Sequence, residues 1–217
     1  MSFIASSFIL LAAHVAAPAA ASLPPSSPLC IVLDLDARLP PGIQRIAVEE
    51  AARVWAPYRV DVIHRTVPPG ESRAPESAVL SVRLAAVAHP PRASSGAFGS
   101  IQFVSGRPEP LVFLHYDAIG RATAASVAFG LRHEQWPQAL RDRVLGRIVG
   151  RVLAHEIGHF VLGSPRHASR GLMRPIQNIV ELIAGTGELF GLTPEDLNLL
   201  RTAMRLRGAV QAENAGG

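Results

Sequence analysis

A chain of 217 residues that is 48% hydrophobic can close one core of its own, with length to spare for a removable leader. Its basic residues are all arginine and are scattered without a run, so the net charge of +4 leaves no nucleic-acid footprint. Cys30 is the only cysteine, which excludes an intramolecular disulfide and leaves the fold to packing.

The opening stretch, "MSFIASSFILLAAHVAAPAAAS", has the outline of a signal peptide over residues 1–22. An apolar run over 3–15 precedes Pro18 and the small residues Ala19, Ala20 and Ala21. The n-region has only its terminal amine as a cation, and His14 interrupts the apolar run. That run is shorter than the roughly 20 residues of a membrane span. The expectation is therefore a secreted or periplasmic protein with no stable membrane insertion after leader removal. Pro24, Pro25 and Pro28 form a stiff spacer over 23–28, the folded domain runs over 29–210, and a disordered tail closes the chain at 211–217.

"LCIVLDLD" (29–36) reads as a buried strand. "PPGIQRIAVEEAARVWAPY" returns Ile43, Ile46, Ala47, Val54 and Trp55 at helical intervals, and Pro57 ends it. "YRVDVIHR" (58–65) alternates as a half-solvated strand, and "AVLSVRLAAV" (78–87) is a third strand. The loops "TVPPGESRAPES" and "HPPRASSGAFGS" are marked by proline and glycine. "IQFVSG" and "LVFLHY" are short strands either side of "RPEP", and from Ala118 onwards the pattern is helical for almost all the remaining length. The order predicts an α+β fold, a small mixed sheet with packed helices, without repeated βαβ units.

One long helix carries the candidate chemistry. "WPQALRDRVLGRIVGRVLAHEIGHFVLG" places Pro137 in its first turn and Gly163 at its C-terminal cap. His155 and His159 are four residues apart, so both imidazoles share one face and can reach one ion. Glu156 is turned from them by about 100° and can face the same site without ligating. Two imidazoles, a third protein ligand and an open position are the needs of a catalytic zinc ion. A carboxylate beside it acts as general base and then acid.

The run "HEIGHFVLGSPRHASRGLMRP" (155–175) resembles the metzincin clan of zinc endopeptidases. The resemblance implies a single catalytic Zn2+ held by His155, His159 and His167, with Glu156 as general base. It further implies Gly163 as the helix-breaking glycine and Met173 in a Met-turn beneath the metal. The spacing departs from the clan: Gly163 comes one residue later than its glycine and His167 two later than its last histidine. The run is also similar to a group of small bacterial proteins of unassigned function that share a leader, "AHEIGH", a later histidine and a "GIMR"-like turn. The chain reaches from Gly163 to His167 over four residues at up to about 3.5 Å each, which suffices. Glu181 and Glu188 are rival third ligands, as a downstream glutamate is in the thermolysin-like class.

Other candidates are weaker. His64, His89, His115 and His133 have no partner at metal spacing. In "LVFLHYD", Tyr116 stands at a strand end where a phenol could steady an oxyanion. "RHEQWP" has Pro137 where a second histidine would be needed. Cys30 reads as buried and inert. In metzincin-like enzymes an edge strand beside the active-site helix pairs with extended substrate. Gly96, Ala97, Gly99 and Ser100 in "GAFGSIQFV" would let a peptide backbone come close. The reading is a zinc-dependent endopeptidase acting on a peptide or protein substrate. A zinc hydrolase of a non-peptide amide and a non-catalytic zinc-stabilised binding protein stand as alternatives.

Overall fold

The computed structural model describes residues 28–64, 77–84, 97–176, 178–184 and 187–215. The expected leader, nearly all of the Pro-rich spacer, most of the two Pro/Gly-rich loops, and with them His89 and Gly96, lie outside the described residues. No described helix is long and apolar enough to cross a membrane.

Five strands, β1 (Leu29–Leu35), β2 (Val60–His64), β3 (Ser77–Leu84), β4 (Gly99–Val104) and β5 (Arg107–Leu114), make one sheet in the order β2-β1-β3-β5-β4. The β1–β2, β1–β3 and β3–β5 pairs are parallel, and β4 joins the edge antiparallel to β5. The α+β class and the small mixed sheet with packed helices are as expected. One βαβ unit stands at the start, where helix α1 (Pro41–Trp55) carries the chain from β1 over to its parallel neighbour β2. The sheet face lined by Ile31, Leu33, Leu80, Val82, Val112 and Leu114 is buried, as their period-two spacing requires.

Helix α3 (Gln138–Leu162) runs from Pro137 to Gly163, which takes the left-handed conformation at φ 63° and so stops the helix. Gly146, Gly150, Ala154 and Gly158 recur every four residues along it. Side chains on this stripe would block α1: a Cβ on Gly150 would stand 2.5 Å from the Ala47 carbonyl oxygen, and one on Gly146 2.7 Å from Ile46. Trp55 extends the contact by donating its indole N–H to the Ala154 carbonyl at 3.0 Å. The two helices thus meet at backbone distance, which fixes how α3 lies against α1.

Three segments differ from the sequence reading. "RPEP" belongs to β5 itself, because the reversal occurs in the two-residue turn Ser105–Gly106, both with positive φ. Pro108 and Pro110 are tolerated there because the ladder to β3 begins only at Leu111, beyond both prolines. The stretch from Ala118 is not continuously helical. Helix α2 (Tyr116–Ala124) is followed by a two-stranded hairpin, β6 (Val127–Ala128) and β7 (Leu131–Arg132), turning at Phe129 and Gly130. After α4 (Ile179–Ala184), helix α5 (Pro194–Ala215) continues through most of the expected disordered tail, its last residues being helix formers without an internal glycine or proline.

Candidate metal centre

The last two turns of α3 bring His155, Glu156 and His159 to one end of the core, each with no more than 5% of its surface exposed. Gly163 then turns the chain, and residues 164–173 fold back over the helix end. The Ala168 amide donates to the Met173 carbonyl at 2.9 Å, closing a loop over 168–173 that begins directly after His167. The ring nitrogens of His155, His159 and His167 converge: His155 Nε2 lies 3.1 Å from His159 Nε2 and 3.3 Å from His167 Nε2. Among the described residues, these three form the one histidine, cysteine or carboxylate group arranged to hold a metal ion.

The remaining ring nitrogens fix the tautomers. His155 Nδ1 is 2.7 Å from the Leu172 carbonyl oxygen, and His159 Nδ1 is 2.7 Å from that of Ser164. A carbonyl oxygen only accepts, so both Nδ1 atoms carry the proton and both Nε2 atoms present lone pairs. Burial, the neighbouring imidazole of His159 and that of His167 push His155 down to about 3, so it is neutral at physiological pH. His159 is likewise lowered, chiefly by burial. Lone pairs facing each other at this distance repel unless a cation lies among them. The spacing also fits: two nitrogens about 2.05 Å from one ion, at a tetrahedral angle, stand about 3.3 Å apart. His167 is exposed, so the cluster opens to solvent on that side.

Leu172 and Met173 pack against this end of α3. Gly171 takes φ 74°, and a Cβ there would stand 2.3 Å from the Gly191 carbonyl oxygen, so only glycine fits. The Leu172 amide donates to that same Gly191 oxygen at 2.8 Å, which aims the Leu172 carbonyl at His155. Met173 is 1% exposed, and its sulfur packs where Gly158 of α3 lacks a side chain.

Glu156 stands apart electrostatically. Its carboxyl is pushed up to about 8, with burial as the whole cause; no donor or cation pairs with it among the described residues. β4 flanks this side of α3. Gly99 lies against Glu156, and Phe103 meets the His159 ring edge-on, with centroids 6.4 Å apart.

The rival ligands are elsewhere. Glu181 forms an ion pair with Arg174, and Glu188 sits exposed on the 3-10 turn Gly187–Phe190. Ser100 adjoins Gly99 on β4, with its hydroxyl 3.5 Å from His115 Nε2. Tyr116 does not join the cluster. Its phenol is raised by burial and then by Asp142, which precedes His155 by 13 residues, about 20 Å along the helix. Cys30 is half-buried, and burial raises its thiol. The sequence reading missed Arg151, which lies fully buried on α3, donates to Glu50 of α1 at 2.6 Å and to the Leu182 carbonyl of α4 at 2.6 Å, and stacks over Phe190. Its only sequence signal is an arginine inside an apolar helical face.

No family model matches this chain, and neither a curated protein nor a solved structure does.

Proposed function

We propose that the chain is a zinc-dependent endopeptidase of metzincin-like type, acting on peptide or protein substrates outside the cytoplasm. The observation that carries this reading is the convergence of three Nε2 atoms, two of them from α3, with the buried Glu156 next in the chain to His155 and without a donor or cation among the described residues. His155, His159 and His167 would hold the ion, and Met173 beneath Gly158 takes the part of the Met-turn residue. Bound zinc supplies Lewis acidity and brings the pKa of water towards neutrality. Zinc is preferred on ligand type, since three imidazoles and an open fourth position suit it.

The chain's own residues do the rest. Glu156 accepts a proton from the attacking water at a carboxylate oxygen and later delivers it to the leaving amine nitrogen. Burial suits it to both roles, because a carboxyl near neutrality gives up and takes back a proton with little driving force against it. The outer edge of β4 pairs with no strand among the described residues. An extended peptide added there would run alongside Glu156 and His159, with backbone hydrogen bonds supplying affinity.

The test is bound zinc per chain in wild type, His167→Ala and Glu181→Ala, together with cleavage of a quenched-fluorescence peptide library by wild type and Glu156→Gln. The reading expects one zinc in wild type and Glu181→Ala, less in His167→Ala, and cleavage that disappears in Glu156→Gln while zinc stays. Zinc that falls only in Glu181→Ala overturns the ligand set. Stoichiometric zinc without cleavage of any library member points to the non-catalytic binding protein.

A further inference from the structure

Gly99 opens β4 and faces α3 at the level of Glu156. A Cβ there would stand 2.7 Å from Val152 Cγ1, 2.9 Å from Glu156 Oε1 and 3.1 Å from Glu156 Cγ. Its backbone is not among the positive-φ positions of the described residues, so no turn demands the glycine. What it provides is space. Among the described residues the Glu156 carboxylate has no hydrogen-bond donor to set its direction, and packing is what orients it. Two residues along the chain from Ile101 on the same strand, Phe103 rests on the ring of His159. The inner face of β4 therefore touches the carboxylate at one end and a metal ligand at the other.

We infer that Gly99 is a positioning residue for Glu156: the missing side chain lets the edge strand close onto the carboxylate and hold it in one orientation. The inference deepens the peptidase reading and rests on it. It also departs from the role its sequence context suggests, which is to admit a substrate backbone. The two roles have different kinetic signatures. A substrate-admitting glycine acts on KM, whereas a misdirected base lowers kcat and leaves ground-state binding alone.

The experiment has two arms on the full chain. In the first, urea midpoints of the metal-free protein are measured for Gly99→Ala in the wild-type and Glu156→Ala backgrounds. Contact predicts non-additivity: the midpoint falls clearly in the wild-type background and by less once the carboxylate is gone. In the second, zinc-loaded protein is assayed on a quenched-fluorescence peptide chosen from a mixed library because the wild type cleaves it. Gly99→Ala is expected to lower kcat about tenfold with KM within about twofold, as displacement of a catalytic group does. Zinc per chain stays at the wild-type value. Adding Val152→Ala, which removes the nearest clashing atom, restores part of the lost kcat; if Gly99→Ala alone fails to fold, this double variant is the one assayed. Additive midpoints overturn the inference, and so does a raised KM with unchanged kcat. A wild type that cleaves no peptide sinks the peptidase reading, and the midpoints then decide the Gly99–Glu156 contact by themselves.

Discussion

Two glutamates are buried along α3, one reaching it from α1 and one carried by α3 itself: Glu50 is 6% exposed and Glu156 4%. Glu50, on α1, accepts from Arg151 Nε at 2.6 Å and from Arg53 Nη2 at 2.7 Å. Burial by itself would raise Glu50, yet hydrogen bonds and charge from the two arginines outweigh it and hold the carboxyl below its ordinary range. Glu156 has no such partner among the described residues, and burial carries it up to about 8. The same side chain at the same depth is thus an ion-pair clamp in one place and a proton-affine group in the other. The difference lies in whether the fold supplies a cation. A carboxylate left uncompensated in a core is destabilising, so Glu156 adds nothing to the fold of the kind that Glu50 does.

Several measurements would break or sharpen that contrast. The largest expected effect is on turnover: Glu156→Gln lowers kcat by at least about a hundredfold, the usual loss of a general base. Its urea midpoint does not fall, because the amide has no charge to desolvate. A destabilised Glu156→Gln with intact turnover would make Glu156 a second clamp. Next in size is Arg151→Ala, which strands Glu50 in the core. It is expected to destabilise the fold by about 3–5 kcal/mol, read by urea unfolding. A smaller effect is the pH dependence of the clamp. Because the Glu50 carboxyl is lowered in the folded state, its stabilisation is present above the unfolded carboxyl value and lost as pH falls through the folded one. Unfolding midpoints of the wild type should therefore drop below about pH 4, and Glu50→Gln should flatten that limb. Smallest is Gly163→Ala, which strains the left-handed cap by about 1 kcal/mol. Its thermal midpoint falls slightly, while zinc content falls only if the turn to His167 moves.

Much of the site was legible in the order of residues. Spacing of four put His155 and His159 on one face, and Pro137 and Gly163 bounded α3 as placed. The sequence sets His167 beside Glu181 and Glu188 as third ligand; in the structure His167 Nε2 lies 3.3 Å from His155 Nε2, while Glu181 pairs with Arg174. Tyr116 illustrates the opposite failure. A strand end followed by a polar triplet looked site-like, yet the chain delivers it near Asp142, far up α3. The hairpin at residues 127–132 is invisible to such a reading because two-residue strands carry no periodicity, and "RPEP" reads as a loop because of its prolines, whereas it pairs with β4 and only precedes the ladder to β3.

The division follows from range. Periodicity and caps act over a few residues, so α1, α3, most of the strands and the shared face of His155 and His159 were determined by the sequence alone. Which third group joins the histidine pair, which buried glutamate is paired, and how near β4 comes to Glu156 depend on side chains from elements far apart in sequence. Gly99 meeting Glu156 and Arg151 meeting Glu50 are contacts of that kind. Their distances are settled only when the sheet and helices pack, because close-packed interiors decide orientation by fit and no local pattern encodes it.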